Sequence, residues 1–111
     1  LGDVYKRQDW NMPVKRIYDF IRGLSPYPAA WTELVQPDGT VVVLKIFETE
    51  KMEQLHRFSP GTLQTDGKTY IRISGTDGWI SVRALQLPGK KRLKTDELLR
   101  GFKLTEDYKV R

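Results

Sequence analysis

Four cations in five residues, Lys90-Lys91-Arg92-x-Lys94, form the densest chemical feature of the sequence. They stand between the stop Pro88-Gly89 and a helix start at Thr95, and make a local positive field suited to phosphates. The plainer reading of such a run is a solvated loop. A second feature flanks the turn Gly75 to Gly78. In a regular hairpin Lys68, Tyr70, Arg72 and Ser74 share a face with Trp79, Ser81 and Arg83, while Ile71, Ile73, Ile80 and Val82 share the other. The aliphatic face must be core. The opposite face interleaves two aromatics with three cations, as nucleic-acid-binding sheets do. An ordinary outer face with an aromatic cross-strand pair fits the same pattern.

Other reactive groups are sparse. There is no cysteine, which excludes a disulfide framework and a thiolate metal site. The single histidine, His56, excludes a histidine-cluster metal site and leaves histidine-based catalysis without a partner. It is expected exposed, in a polar loop. Asp66-Gly67 and Asp77-Gly78 read as turn chemistry rather than metal loops. Glu48, Glu50 and Glu53 suit pairing with lysines, not a carboxylate dyad. Ser25 and Ser81 lack a nucleophile-elbow context, and Gly23, Gly61, Gly75 and Gly89 make no phosphate loop. The sequence thus predicts a binding domain with no catalytic, cofactor or metal site of its own.

The 111 residues suffice for one domain and one core. A net charge of +5 raises the prospect of a polyanionic partner without deciding it. No apolar run reaches the roughly 18–20 residues of a membrane span, and no signal-peptide pattern opens the chain, so no membrane role and a cytoplasmic location are expected.

These side chains need elements to hold them. Residues 1–8 lack periodicity and read as a linker or cloning remnant. Asn11 is the expected N-cap of a helix whose apolar stripe is Val14, Ile17, Tyr18, Ile21 and Leu24, ending near Arg22 with Gly23 as a left-handed cap. Trp10 is placed to staple it. Ser25-Pro26-Tyr27-Pro28 is a stiff elbow, which Tyr27 and Trp31 are expected to fill. Strands follow at Trp31–Gln36, Val41–Glu50, Gly61–Thr65, Lys68–Ser74 and Trp79–Leu87, with Lys51–Phe58 as a surface loop or short helical turn. Thr95 is expected to cap a short helix carrying Leu98, Leu99 and Phe102, and residues 103–111 to be a loosely held charged tail. The expected fold is mostly β: a small five-stranded barrel with an N-terminal helix and a short C-terminal helix.

Asp9-Trp10, then Ile17, then Phe20-Ile21-Arg22-Gly23-Leu24-Ser25-Pro26-Tyr27-Pro28-Ala29-Ala30-Trp31 closely resembles the start of the C-terminal domain of methionyl-tRNA formyltransferases. The resemblance continues through Leu44-Lys45-Ile46-Phe47, Pro60-Gly61-Thr62 and Leu85-Gln86-Leu87-Pro88-Gly89-Lys90-Lys91-Arg92-Leu93, and ends at Leu98-Leu99-Arg100-Gly101. It covers residues 9–102 in the family's order, whereas residues 1–8 do not fit what precedes that Asp-Trp. It implies an OB-like barrel. It also implies that N10-formyltetrahydrofolate and the Asn, His and Asp catalytic residues belong to an N-terminal α/β domain, leaving this chain catalytically silent.

The family's C-terminal domain offers a basic surface to initiator methionyl-tRNA. Lys90 and Lys91 match basic positions of its Gly-Lys-Lys motif and Lys45 matches another, while Glu48 stands where relatives often carry a cation. The candidate tRNA-binding residues are therefore Lys90, Lys91, Arg92 and Lys94, followed by Lys45, Arg72 and Arg83. One alternative is the structural domain of a formyltransferase acting on a nucleotide sugar or on folate, without tRNA. Another is a barrel that mainly packs on its N-terminal neighbour through the Tyr70/Trp79 face.

Overall fold

The computed structural model describes residues 6–111. Helix α1 (Val14–Leu24) buries Val14, Ile17 and Ile21, as their spacing dictates. It runs through Gly23 to Leu24 and ends because Pro26 forces Ser25 into extended backbone, φ −83°. Asn11 does not cap it. The N–H of Val14 donates instead to Asp77 Oδ1 at 2.8 Å, a partner 63 residues along the chain. At the elbow both the Ser25–Pro26 and Tyr27–Pro28 peptides are cis, and Ala29 takes φ +77°. Tyr27 does not fill the corner: it is 88% exposed, and Ala29, Ala30 and Trp31 are buried there in its place.

Strands β1 (Ala30–Val35), β2 (Val41–Met52), β3 (Leu63–Thr65), β4 (Ile71–Ser74) and β5 (Trp79–Gln86) are the five expected strands. β3 and β4 are shorter than their β-rich sequence suggests. Gly61 turns with φ +87° before the first. The Asp66 carboxylate takes the N–H groups of Lys68, Thr69 and Tyr70 in a turn that delays the second. The chain then adds β6 (Leu93–Lys94), α2 (Thr95–Gly101) and β7 (Lys109–Val110). Every named pairing is antiparallel, in the order β3-β4-β5-β2-β1-β7, with β6 on β5.

Two expectations about the ends are corrected. Residues 103–111 are not a loose tail: Leu104 and Val110 are buried, and β7 pairs with Leu34 and Val35. Nor do residues 7 and 8 stand apart from the domain, since Arg7 bridges Trp31 in parallel and Gln8 is buried. Of the segment read as linker or remnant, residues 1–5 lie outside the described residues. The C-terminal segment also fills the gap between the sheet's two edges. A Cβ on Gly61 would stand 3.2 Å from the Val110 carbonyl oxygen, and Thr65 N–H donates to Glu106 Oε2 at 3.4 Å. The sheet is thus a nearly closed, OB-like barrel.

Its interior is packed by Ile17, Ile21, Ile46, Ile73, Ile80 and Leu85 among others, with α1 as a lid. Trp10 staples that lid: it is buried, and its indole N–H donates to Thr32 Oγ1 at 3.0 Å. The Thr32 hydroxyl donates onward to the Arg111 carbonyl at 3.1 Å. Thr95 is buried rather than capping, its hydroxyl donating to Val82 O, while the Glu97 carboxylate accepts from Lys94 N–H at the start of α2.

Candidate nucleic-acid interface

Cross-strand register decides which side chains share the outer face. Arg72 pairs with Ser81 and Ser74 with Trp79, whereas Ile73 and Ile80 face the core. The division expected from alternation is therefore present, but half of that face is covered. Beyond β2, residues 53–62 fold back over Trp79, which is only 2% exposed. His56 is the clasp, and it is half-buried rather than exposed. Its Nε2 lies 2.9 Å from Gly75 O and 3.1 Å from Gly78 O, and its Nδ1 accepts from Phe58 N–H at 3.0 Å. These contacts require the tautomer with the proton on Nε2. Phe58 and His56 then lie 5.4 and 4.9 Å from the Trp79 ring. The Arg72 guanidinium caps the indole at 4.1 Å and donates twice to Gln64 Oε1. Trp79 is thus a packed hub and Arg72 its lid.

The other arginine candidates are also engaged. A bulge around Phe47 breaks the β2–β5 register and puts its ring in a small buried cluster with Ala29 and Ala84, separate from the main core. Arg92 lies 4.6 Å from that ring's centroid, with Nη2 2.8 Å from Glu48 Oε1. Arg83 pairs with Glu50 at 3.4 Å. Lys94 is exposed, but it shares a depression with Arg83, Glu48 and Asp96. On α1, Lys15 and then Arg22 hold the Asp19 carboxyl below its ordinary range, so those cations too have a partner.

Lys45, Lys90 and Lys91 differ from these arginines, as Lys94 does, in having no ion pair among the described residues. All three are exposed, and among the described residues no carboxylate lies within ion-pair distance of them. Lys45 pairs across the sheet with Gln86, whose side-chain amide donates to the Lys90 carbonyl at 2.7 Å. The sheet therefore brings β2 and the β5–β6 loop together, and with them Lys45 and the Lys90-Lys91 pair. That loop is closed by Lys90 N–H donating to Leu87 O at 3.1 Å, with Gly89 at φ +71°. Lys45 also faces Trp31 on β1, and Arg7 lies over that indole at 5.5 Å.

Three cations of this region were not read from the sequence. Lys109 pairs with Val35, whose other partner is Val41, so it joins the same outer face. Arg111 Nε and Arg7 Nη2 each lie 3.0 Å from Glu33 Oε1. The half-buried Glu33 carboxylate is thus shared by Arg7 and Arg111, on the outer face that also carries Lys45 and Lys109, with the Lys90-Lys91 loop across β2. Charge on the segments read as linker and tail held this signal, yet only the pairings of Arg7 and β7 with β1 assemble it. The arrangement is an electropositive, rigid surface fit for phosphate contacts. Among the described residues it presents no nucleophile with a base, and His56 has both ring nitrogens committed to the backbone.

Residues 6–103 match the family model described as formyl transferase, C-terminal domain. The chain is 65% identical over 105 residues to a methionyl-tRNA formyltransferase of Bacteroides fragilis, covering 95% of this chain and 32% of that protein. The same identity holds over 104 residues for the enzyme of that name from Bacteroides thetaiotaomicron, covering 94% of this chain and 32% of the relative. A Flavobacterium johnsoniae protein of the same name is 41% identical over 102 residues, 92% of this chain and 32% of its own length. The chain thus spans about a third of the length of the curated relatives it matches.

Proposed function

The chain belongs to the formyl transferase C-terminal domain family, and on that premise we propose that it is the tRNA-holding domain of a methionyl-tRNA formyltransferase. It positions initiator methionyl-tRNA in the bacterial cytoplasm for N-formylation by an N-terminal catalytic domain, and carries out no chemical step itself. The formyl donor, N10-formyltetrahydrofolate in this reading, belongs to that other domain. The described residues here offer no acid–base pair to act on it, since His56 is spent on Gly75, Gly78 and Phe58.

One observation carries the reading: among the described residues Lys45, Lys90 and Lys91 are exposed without a carboxylate partner, on a face whose Glu33 carboxylate is already shared by two arginines. Free lysines are compact point charges suited to phosphate oxygens, and they release counterions when they engage. Arg72, Arg83 and Arg92 have acceptors within the fold, which offset part of their charge toward RNA. Phosphate contacts hold a register without reading sequence.

The test is a salt titration of tRNA binding to this chain. Affinity should fall steeply with salt. Lys45→Ala, Lys90→Ala and Lys91→Ala combined should lower the slope of log K against log salt by about 2–3, since each lost contact removes roughly 0.7–0.9. Arg72→Gln should leave the slope unchanged. A triple variant with the parent slope, or no tRNA binding at low ionic strength, refutes the proposal. The domain would then serve as packing for its N-terminal neighbour.

A further inference from the structure

The outer face contains a groove that phosphate binding alone does not explain. It has a volume of about 610 Å³ and runs between the first residues of β2 and the β5–β6 loop. Val41 and Val43 form one wall, Leu87 and Pro88 the other, with Trp31 at the base and Lys45 beside Gln86 at the end. Its position follows from parity. Val41 and Val43 alternate with Val42 and Leu44 along β2, so they face outward with Lys45, while Leu87, just past β5, lines the groove and also packs on the main core. Val41 is 37% exposed, an apolar side chain left to solvent. The walls do not depend on RNA for their shape, because the Leu87–Lys90 turn is pinned by its own backbone bond and by Gln86.

We propose that this groove is a nucleotide subsite, taking one unpaired residue of an RNA strand: Lys45 and Lys90 hold its phosphate, and the aliphatic walls hold its base or ribose. The inference rests on the RNA-binding reading above and deepens it. Charge complementarity selects the occupant. An apolar slot with Lys45 at its end and the Lys90 turn beside it, neither lysine with a carboxylate partner among the described residues, matches a ligand that is anionic at one end and flat and weakly polar at the other. Its volume lies within the range of about 300–1,000 Å³ usual for small-ligand clefts. The walls present mainly aliphatic carbon, and one Gln86 amide N–H is already used on the Lys90 carbonyl, so the groove meets the face of a base more than its edges. The subsite is therefore base-tolerant, accepting any nucleobase by contact with its face.

The experiment compares three ligands on the 111-residue chain: tRNA, a single-stranded RNA hexamer, and inorganic polyphosphate of the same charge. Val43→Ser and Leu87→Ala, which change no charge, should each weaken hexamer binding about five- to tenfold. They should leave polyphosphate affinity and the salt slope unchanged. Lys45→Ala should weaken both ligands and lower the slope by roughly 0.7–0.9. Oligo-A and oligo-U should bind within about twofold of each other. Val41→Ser, at an exposed position, replaces Leu87→Ala if that variant fails to fold. The subsite is overturned if the wall variants bind the hexamer as well as the parent chain does. It is equally overturned if polyphosphate competes as effectively as RNA, or if an acidic amphipathic peptide outcompetes the hexamer. In each case tRNA binding by the parent chain leaves the RNA-holding function intact, whereas its absence removes that function as well.

Discussion

Replacing Thr32 by Val should destabilise the protein by about 2 kcal/mol, although it removes no volume. Thr32 is fully buried on β1, accepting from the Trp10 indole N–H and donating to the Arg111 carbonyl. Valine fills the same space, so no cavity term arises. What changes is hydrogen bonding. The Arg111 carbonyl keeps its bond from Glu33 N–H at 2.9 Å and loses little. The indole N–H, in a tryptophan only 5% exposed, loses its partner. A buried donor left unsatisfied costs about 1–3 kcal/mol. Urea unfolding should show a lower midpoint at unchanged m-value, and the melting temperature should fall by about 8–15 °C. The decisive measurement is the double-mutant cycle with Trp10→Phe. Without the indole N–H, Thr32→Val should cost under about 0.5 kcal/mol, giving a coupling of about 1–2 kcal/mol. If Thr32→Val costs as much in the Trp10→Phe background as in the parent chain, the coupling is zero. The staple is then held by packing alone, and the reasoning fails.

Three further outcomes follow from the fold. Asp77→Ala should cost about 1 kcal/mol in denaturant unfolding, the usual worth of an N-cap, because it strips the Val14 N–H of its acceptor. Asn11→Ala, at the position expected to cap, should cost less. Removing residues 103–111 should destabilise by about 3–6 kcal/mol, since Leu104 and Val110 are both buried and each side chain contributes about 1.5–3 kcal/mol; calorimetry of the shortened chain checks this. The Asp66 carboxyl is held far below the ordinary carboxylate range, first by the Thr69 hydroxyl and then by the Thr69 and Lys68 N–H groups. A lowered folded-state value stabilises above the unfolded value of about 3.9, and that contribution fades as pH falls below it. Asp66→Ala should therefore lower the melting temperature at pH 7, with the gap from the parent chain narrowing as the melts move below about pH 4.

Local periodicity made much of this structure legible. The stripe of α1, the alternation of β4 and β5, and the Asp-Gly turns depend on near neighbours, and the structure follows them. What sequence missed depends on partners far along the chain. Asn11 has the right chemistry for a cap, yet Asp77 reaches the helix first because the Gly75–Gly78 turn packs against it; a Cβ on Gly75 would stand 2.8 Å from the Met12 carbonyl. Alternation placed Trp79 on the outer face correctly, but it carries no information about a loop returning to bury it. The same limit applies to the candidate interface. Lys90 and Lys91 stand out as a run, whereas Arg7, Lys109 and Arg111 sit in chain ends without periodicity. Sequence ranks Arg92 with Lys90 and Lys91, and Arg72 and Arg83 with Lys45, because it does not show the acceptors Glu48, Gln64 and Glu50 that the fold sets beside the three arginines.

The meeting of Arg7 and Arg111 on the Glu33 carboxylate has a consequence for leverage. Both arginines are thereby anchored beside the cationic face, not across the barrel from it. A load on that face therefore works on a short arm about the Glu33 anchor. Glu33→Gln would leave the cations of the face in place while loosening both arginines from their common anchor. Under the RNA-holding function proposed above, the domain would keep its grip but with more play in where it presents its load.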